Sequence, residues 1–337
     1  MLIELMIGLV IGLMTALAIV QVLSVAESQR RTVTSGTDAQ VTGAVSLHSL
    51  QREIRQAGYG LLDNPNALGC PITGKVGVNN VNITLAPVVI TNGADGAPDS
   101  LQIFSSSKQG ASVPLMVSNN HLQAATSFDV KSSFSVAVGD LLVAVPETGA
   151  AACALFSVTS TTQTKINHAD LTAYSPAAGY PAKSFLVNLG GEINRRTYSI
   201  SAKNVLQVQE YSAANPKDFY PEVVNLQALY GKDTNSDGVV DAYDTDTPTT
   251  SAGWKQVLAV RLAVVTRSSE YDKDLVTNSA PEWDLGTAIT VTGTTECTSG
   301  SGGQCLALKI SQLADWKHYR YKVYDTLIPL RNALWNS

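Results

Sequence analysis

The chain is poor in charge. Asp, Glu, Lys and Arg make up 15% of its 337 residues against 45% apolar, which excludes a disordered polyelectrolyte and leaves a folded, polar but weakly charged body. It has no basic excess: 23 Lys and Arg face 28 Asp and Glu, a net charge of -5. That balance offers no surface to neutralise a phosphate backbone, so nucleic acid is not an expected partner. Aromatics are sparse at 7%, and Gly, Ser, Thr and Asn are plentiful, as in loop-rich extracellular β-proteins.

Signatures of catalysis are missing as well. There is no HExxH, no GxSxG, no P-loop and no Gly-rich dinucleotide turn after a strand. His48, His121, His168 and His318 are scattered, His48 on a helical stretch and His318 on an expected strand, and they read as surface or packing residues. Trp254, Trp283, Trp316 and Trp335 read as core or interface residues in preference to a ligand-binding cluster. No catalytic residue is expected, and the chain is read as a non-enzyme.

What is present begins at the N-terminus. Residues 5–20 carry no charged or strongly polar side chain, 22–26 extend the tract past Gln21, and Glu4 is the only charge before Glu27. About 20 apolar residues at 1.5 Å each match a bilayer core of roughly 30 Å, so 1–26 can span a membrane. Arg30 and Arg31 follow the tract instead of preceding it, which disfavours a cleavable secretory signal. Glu4 is costly in such a tract unless it meets a cation, for which the α-amino group of a neighbouring copy is one candidate, or snorkels to the headgroups. Gly8 and Gly12 form a GxxxG spacing, a weak signal for close helix approach.

Beyond the tract, Val41, Ala44, Val45, Leu47, Leu50, Ile54 and Ala57 recur at three- and four-residue steps, predicting an apolar stripe that packs on a globular body. The β-branched, Gly-containing stretch 32–37 predicts a kink or local melting. The helix should end at Gly58 or Gly60.

After Gly60 the period becomes two. Val224, Leu226, Ala228 and Tyr230 are expected on one face of a half-buried antiparallel strand, as are Leu258, Val260, Leu262 and Val264. Further strands are expected at 101–104, 141–145, 154–158, 185–189, 205–211, 306–310 and 318–324. The expected fold is therefore α+β: a long N-terminal helical stalk (1–57) on an antiparallel β-rich head (58–337), elaborated by an insertion between about 80 and 185. Four cysteines lie outside the membrane tract and allow three connectivities, in an oxidising compartment. Cys297 and Cys305 flank a Gly/Ser-rich hairpin and are the natural first pair, leaving Cys70 to Cys153 as the default second.

The strongest chemical motif is Asp233-Thr234-Asn235-Ser236-Asp237-Gly238-Val239-Val240-Asp241-Ala242-Tyr243-Asp244. It follows an EF-hand loop over 233–244: oxygen ligands Asp233, Asn235, Asp237, Asp241 and Asp244 at positions one, three, five, nine and twelve, the Val239 carbonyl at seven, and Gly238 at the sharp turn at six. Four carboxylates in twelve residues repel one another unless a cation compensates, and Ca²⁺ is the expected ion. Asp244 is shorter than the usual Glu, which weakens the site, and Asp246 could substitute. The flanks read as strands, so the loop would fix a β-connection instead of acting as a two-helix sensor.

Leu2-Ile3-Glu4-Leu5-Met6-Ile7-Gly8-Leu9 resembles the start of mature type IV pilins, where a prepilin peptidase removes a leader and the new N-terminus is methylated. That family places its Glu at the fifth mature position, so Met1 is taken to replace or follow a missing first residue. Arg52-Glu53-Ile54-Arg55-Gln56-Ala57-Gly58-Tyr59, the run from Val224 into the acidic loop, Val257-Leu258-Ala259-Val260-Arg261-Leu262 and the closing Tyr321-Lys322-Val323-Tyr324-Asp325-Thr326-Leu327-Ile328-Pro329-Leu330-Arg331-Asn332 resemble the PilW family of minor pilins. The stretch from about 75 to 185 carries little of this likeness. The resemblance implies a single-pass inner-membrane protein with a periplasmic head that later enters an extracellular pilus. There it would join other minor pilins through the stalk, with Glu4 setting register, and help prime assembly at or near the tip, beside an adhesin. The alternatives are a major pilus subunit, a type II secretion minor pseudopilin, or a membrane-anchored calcium-binding adhesin that never polymerises.

Overall fold

The computed structural model describes residues 2–61, 67–108, 113–147, 152–286, 291, 294–298, 300 and 302–334. Its longest element is one helix, α1 (Leu2–Gln56), which at 1.5 Å per residue extends about 80 Å. The 32–37 stretch does not melt: the helix runs through it without a break, and Thr37 returns its hydroxyl to the Val33 carbonyl at 2.9 Å. With good helix formers on either side, carrying the ladder through a few weak formers costs less than nucleating a second helix.

The end of α1 packs on the head with the later part of the stripe that hydropathy predicts, Leu47, Leu50, Ile54 and Ala57, but not with its earlier part. Ala39, Gly43, Ser46, Leu50 and Ile54 are buried, whereas Val41, Ala44 and Val45 face solvent. Close approach to the sheet decides it. A Cβ on Gly43 would sit 2.2 Å from the Tyr324 ring, and the Thr266 hydroxyl donates to the Ala39 carbonyl at 3.1 Å.

Along the head, β1 (Pro71–Val76) and β2 (Asn79–Thr84) form a hairpin, and β3 (Val88–Thr91) and β4 (Ser100–Ser106) a second. Next come β5 (Leu115–Met116), β6 (Ser127–Asp129), β7 (Leu141–Val145), β8 (Cys153–Thr161), β9 (Lys165–His168) and β10 (Phe185–Gly190). They are followed by β11 (Ile193–Ile200), β12 (Val205–Glu210), β13 (Lys217–Pro221), β14 (Val223–Lys232), β15 (Ala242–Asp244), the short α2 (Ser251–Lys255) and β16 (Val257–Arg267). The chain closes with β17 (Glu282–Asp284), β18 (Thr294–Glu296), β19 (Gln304–Ala307), β20 (Tyr321–Pro329) and α3 (Arg331–Leu334).

Four sheets result: β2-β1-β8-β7-β10-β5 with β9 and β6 joined through β8, β13-β12-β11-β4-β3, β15-β14-β16-β20, and β17-β19-β18. The β1–β8 pairing is parallel, and the ladders of the other three sheets are antiparallel.

Strands β14 and β16 are buried on both faces and not half-buried. Leu226, Ala228, Tyr230, Val260, Leu262 and Val264 share a core with Leu50 and Ile54 of α1. Leu229, Ala263 and Val265 pack on the opposite side with Trp283. Val224 joins that second side, not the face of Leu226, because the register shifts between Val223 and Asn225. Two expected strands also move. The 306–310 strand stops at Ala307, since Leu308 and Lys309 spend their N–H groups on Pro281 and Gly96. The 318–324 strand begins only at Tyr321, because Trp316–His318 forms a 3-10 turn.

The middle of the chain has a core of its own, with Val117, Phe128, Phe156, Ile166, Tyr180 and Leu186 among its members. The Cys70–Cys153 bridge fastens the segment ahead of β1 to β8, and Cys297–Cys305 closes the small sheet.

Candidate functional site: a bare helix and an acidic hairpin

The N-terminal half of α1 has no cover. Ile3–Glu27 is long and apolar enough to cross a membrane, and 0% of its most apolar stretch is buried. An apolar surface of that length needs a bilayer or other helices around it. Glu4 lies in its first turn. A Cβ added to Gly8 or Gly12 would meet nothing within 4 Å, so the GxxxG face is open to a partner.

The acidic segment is the turn between β14 and β15, closed by the Asp241 N–H to the Lys232 carbonyl at 3.0 Å. Its first half wraps round Asp233, which is buried. Oδ1 accepts from the N–H groups of Ser236 (2.6 Å) and Asp237 (3.2 Å), and Oδ2 from that of Gly238 (2.8 Å). Burial alone would raise the Asp233 pKa, but these backbone donors outweigh it and hold the carboxyl below its ordinary range. Gly238 takes φ +82°, the backbone that favours glycine at the sharp turn. Asn235 sits beside Asp237, Nδ2 to Oδ2 3.0 Å.

The second half is arranged differently. Asp241 accepts from the Thr234 N–H at 3.1 Å and its hydroxyl at 2.9 Å. Asp244 lies on β15, where the Lys232 ammonium meets Oδ1 at 2.7 Å and Oδ2 at 2.8 Å. Among the described residues, no three of the loop's carboxylates bring oxygens within 4.8 Å of one another; the one His, Cys, Asp and Glu group that does is Asp284 with Cys297 and Cys305, whose sulfurs are spent on a disulfide. The all-oxygen donor set of Asp233, Asn235, Asp237, the exposed Val239 and Asp241 fits a hard divalent cation. Asp244 already shares both of its oxygens with Lys232.

Two features were invisible in the sequence because they depend on strand pairing. His121 and His168, 47 positions apart, meet in the middle core with Nε2 to Nε2 3.0 Å. His168 Nδ1 lies 2.6 Å from the Ala169 carbonyl and must be its donor, so His168 Nε2 accepts from His121. Among the described residues, His121 Nδ1 is then a buried lone pair with no hydrogen-bond partner, on a ring stacked 3.7 Å from Phe128. Burial pushes the His121 pKa down to about 4, helped by His168, while Asp129 pulls the other way. Burial also lowers His168, against the pull of Asp170.

The second feature is Asp99, buried where the β3–β4 connection meets β14. It accepts from Gly93 N–H at 2.8 Å and Ala228 N–H at 2.7 Å, and burial raises its pKa to about 6 despite those donors.

Among the described residues, the other histidines and the tryptophans form no shared site. His48 is exposed on α1. His318 stacks on Tyr271 at 4.6 Å. Trp254 belongs to the core beneath α1, Trp283 and Trp316 to the opposite one, and Trp335 lies outside the described residues.

Comparison with known proteins places one part of the chain. Residues 192–332 match the family model for PilW, the type IV pilus-assembly protein W, which is less than half of the chain. No curated protein matches it. Among solved structures, a type IV-like pilin from Thermus thermophilus aligns over 88% of this chain and 97% of its own, at 11% identity and a TM-score of 0.34. The part of the head from β11 through the acidic hairpin to the start of α3 is thus similar to PilW, the family of type IV pilus-assembly proteins.

Proposed function

We propose that this chain is a non-enzymatic minor pilin of a type IV pilus, which waits in the inner membrane with its head in the periplasm and then enters the extracellular filament. There it helps prime assembly and sits in or near the tip. The observation that carries this reading is the uncovered apolar half of α1, continuous with a helix that a PilW-like head grips by its other end. A helix of this kind exchanges lipid for the stalks of other pilins without refolding. Glu4 in its first turn supplies the charge that registers one stalk against the next, and no turnover is required of the head.

Ca²⁺ would be held at the β14–β15 turn by Asp233, Asn235, Asp237, the Val239 carbonyl and Asp241, with Asp244 contributing when it leaves Lys232. Bound there, the ion neutralises the loop and fixes the hairpin, the surface through which a neighbouring minor pilin or a tip adhesin would be met.

Mass spectrometry and immunogold labelling of sheared native filaments test the reading. Sparse copies at one end are expected. Dense labelling along the fibre would make this a major subunit, and absence from filaments would send it to a type II secretion system or to a membrane-anchored role.

A further inference from the structure

A cavity of about 220 Å³ lies where the edge strand β2 meets the outer face of β3, β4 and β11. Asn82, Thr84, Gln102 and Arg195 bring polar groups to it, and Val89 and Phe104 form an apolar wall. The register explains the grouping. Arg195 is opposite Phe104 across β11 and β4, and Val89 is opposite Gln102 across β3 and β4, so these side chains share the sheet face that turns away from α1. Asn82 and Thr84 are exposed at the rim, which leaves the cavity open to solvent.

Arg195 is the unusual member. It is half-buried, its Nε is buried with no hydrogen-bond partner among the described residues, and its guanidinium rests on the Tyr211 ring at 4.7 Å. Among the described residues no carboxylate pairs with it. The next residue shows the contrast: Arg196, on the other face of the same strand, meets Glu53 at 2.8 Å. A partly desolvated guanidinium without an anion is an unfavourable arrangement, and its planar fork matches a carboxylate through two parallel hydrogen bonds.

We propose that this cavity binds a small hydroxylated carboxylate of the sugar-acid class, held at its carboxylate by Arg195 and at its hydroxyls by the amides of Asn82 and Gln102 and the hydroxyl of Thr84. One cation, neutral amides and an apolar wall suit a single negative charge on a polar ring better than a doubly charged phosphate. The volume sits below the roughly 300–1,000 Å³ of drug-sized sites and limits the ligand to one small unit, free or at the end of a glycan. The site does not depend on the pilus reading.

Titration calorimetry on the full chain in detergent micelles tests it, with D-glucuronate as probe, glucose as the neutral analogue and inorganic phosphate as the other anion. Saturable glucuronate binding is expected, with glucose and phosphate at least tenfold weaker. Arg195→Gln should lose at least tenfold in affinity, and Gln102→Ala, at a half-exposed position that leaves the fold intact, should weaken binding a few-fold. No saturable glucuronate binding, equal affinity for glucose or phosphate, or full binding by a folded Arg195→Gln chain would each overturn the proposal. A glucuronate-terminated oligosaccharide that binds no tighter than glucuronate identifies the free acid as sufficient; one that binds tighter extends the same site to a glycan end.

Discussion

The C-terminal sheet β15-β14-β16-β20 and the middle sheet built on β5 to β10 meet the rest of the chain in different ways. The first lies directly on α1, with Gly43 against Tyr324 and Leu50 and Ile54 in a shared core. It is also the part that resembles PilW. The middle sheet has its own core on one face; its other face, with Leu141, Val143, Val145, Leu155 and Val187, packs on Leu61, Phe104 and Ile193. The parallel β1–β8 pairing and the Cys70–Cys153 bridge tie in the segment that follows α1. The similarity to pilus-assembly proteins therefore runs where the head grips the stalk, and the region without it divides its apolar side chains between a core of its own and one shared with Leu61, Phe104 and Ile193. All four tryptophans lie at or beyond position 254, so indole fluorescence reports the first part, and hydrogen exchange at β7 and β8 the second.

The largest expected effect breaks the join. Replacing Cys70 and Cys153 by Ser opens a loop with a sequence separation of 83 and should cost about 4–5 kcal/mol in the chain-entropy account. Exchange protection in β7 and β8 should fall well before tryptophan emission shifts in a urea titration. Simultaneous loss of both signals would mean that the two parts form one cooperative unit. Gly43→Leu attacks the other partner, since its side chain would enter the Tyr324 ring. About 3 kcal/mol is expected, seen in tryptophan emission while protection in β7 and β8 persists; an unchanged urea midpoint would show that the helix is not gripped there.

These positions also show what was legible in the sequence. The apolar tract, the helical period before Gly58 and most central strands follow from side-chain type and spacing. So does Gly238 at the turn, where the required backbone names the residue. The side of α1 that packs follows from Leu47 to Ala57 but not before it: Val41 and Val45 outrank Gly43 and Ser46 in hydropathy, but the close approach of the sheet rewards small residues. Val224 was misplaced by a register shift that leaves no mark in composition. The histidine pair and the placing of Arg195 on Tyr211 arise from partners brought together by β-pairing, so no local motif announces them. In the acidic loop the oxygen-bearing residue types and the turn glycine were readable, whereas the hold of Lys232 on Asp244 was not, because it is a cross-strand contact between β14 and β15.

Acid should pull the two parts in opposite directions. The His121 pKa is about 4 in the fold against roughly 6.5 for a free imidazole. Below pH 6.5 the unfolded chain takes up a proton that the native core refuses, so the stabilisation present above 6.5 is lost as pH falls toward 4, by about 2–3 kcal/mol. Asp99 has the reverse sign. Its pKa of about 6 lies above the ordinary carboxyl value, so the native state holds the extra proton and gains stability as pH falls from 6 toward 4. Exchange protection in the middle sheet should thus weaken between pH 6.5 and 4.5, while the tryptophan-reported midpoint stays level or rises. His121→Phe should reduce the first trend, leaving the smaller part that the buried His168 supplies, and Asp99→Asn should remove the second. Parallel acid sensitivity of both parts in the wild-type chain would refute the opposition.

The smallest effect concerns the acidic hairpin, and it separates a calcium site from a self-sufficient turn. At free Ca²⁺ tenfold above Kd, a site present only in the folded loop adds about 1.4 kcal/mol, seen as a calcium-dependent rise in the tryptophan-reported midpoint that chelation reverses. The middle sheet, remote in sequence from the loop, should not respond. Asp237→Ala should abolish the rise, because it removes the ligand at position five. Lys232→Met should strengthen it: the methionine keeps the packing of the stem, and Asp244, now without its ammonium partner at 2.7 Å, becomes available to the ion. If calcium leaves the midpoint unchanged in both the wild-type and Lys232→Met chains, the backbone N–H groups that already surround Asp233 are sufficient for the loop, and the ion has no part in holding the hairpin.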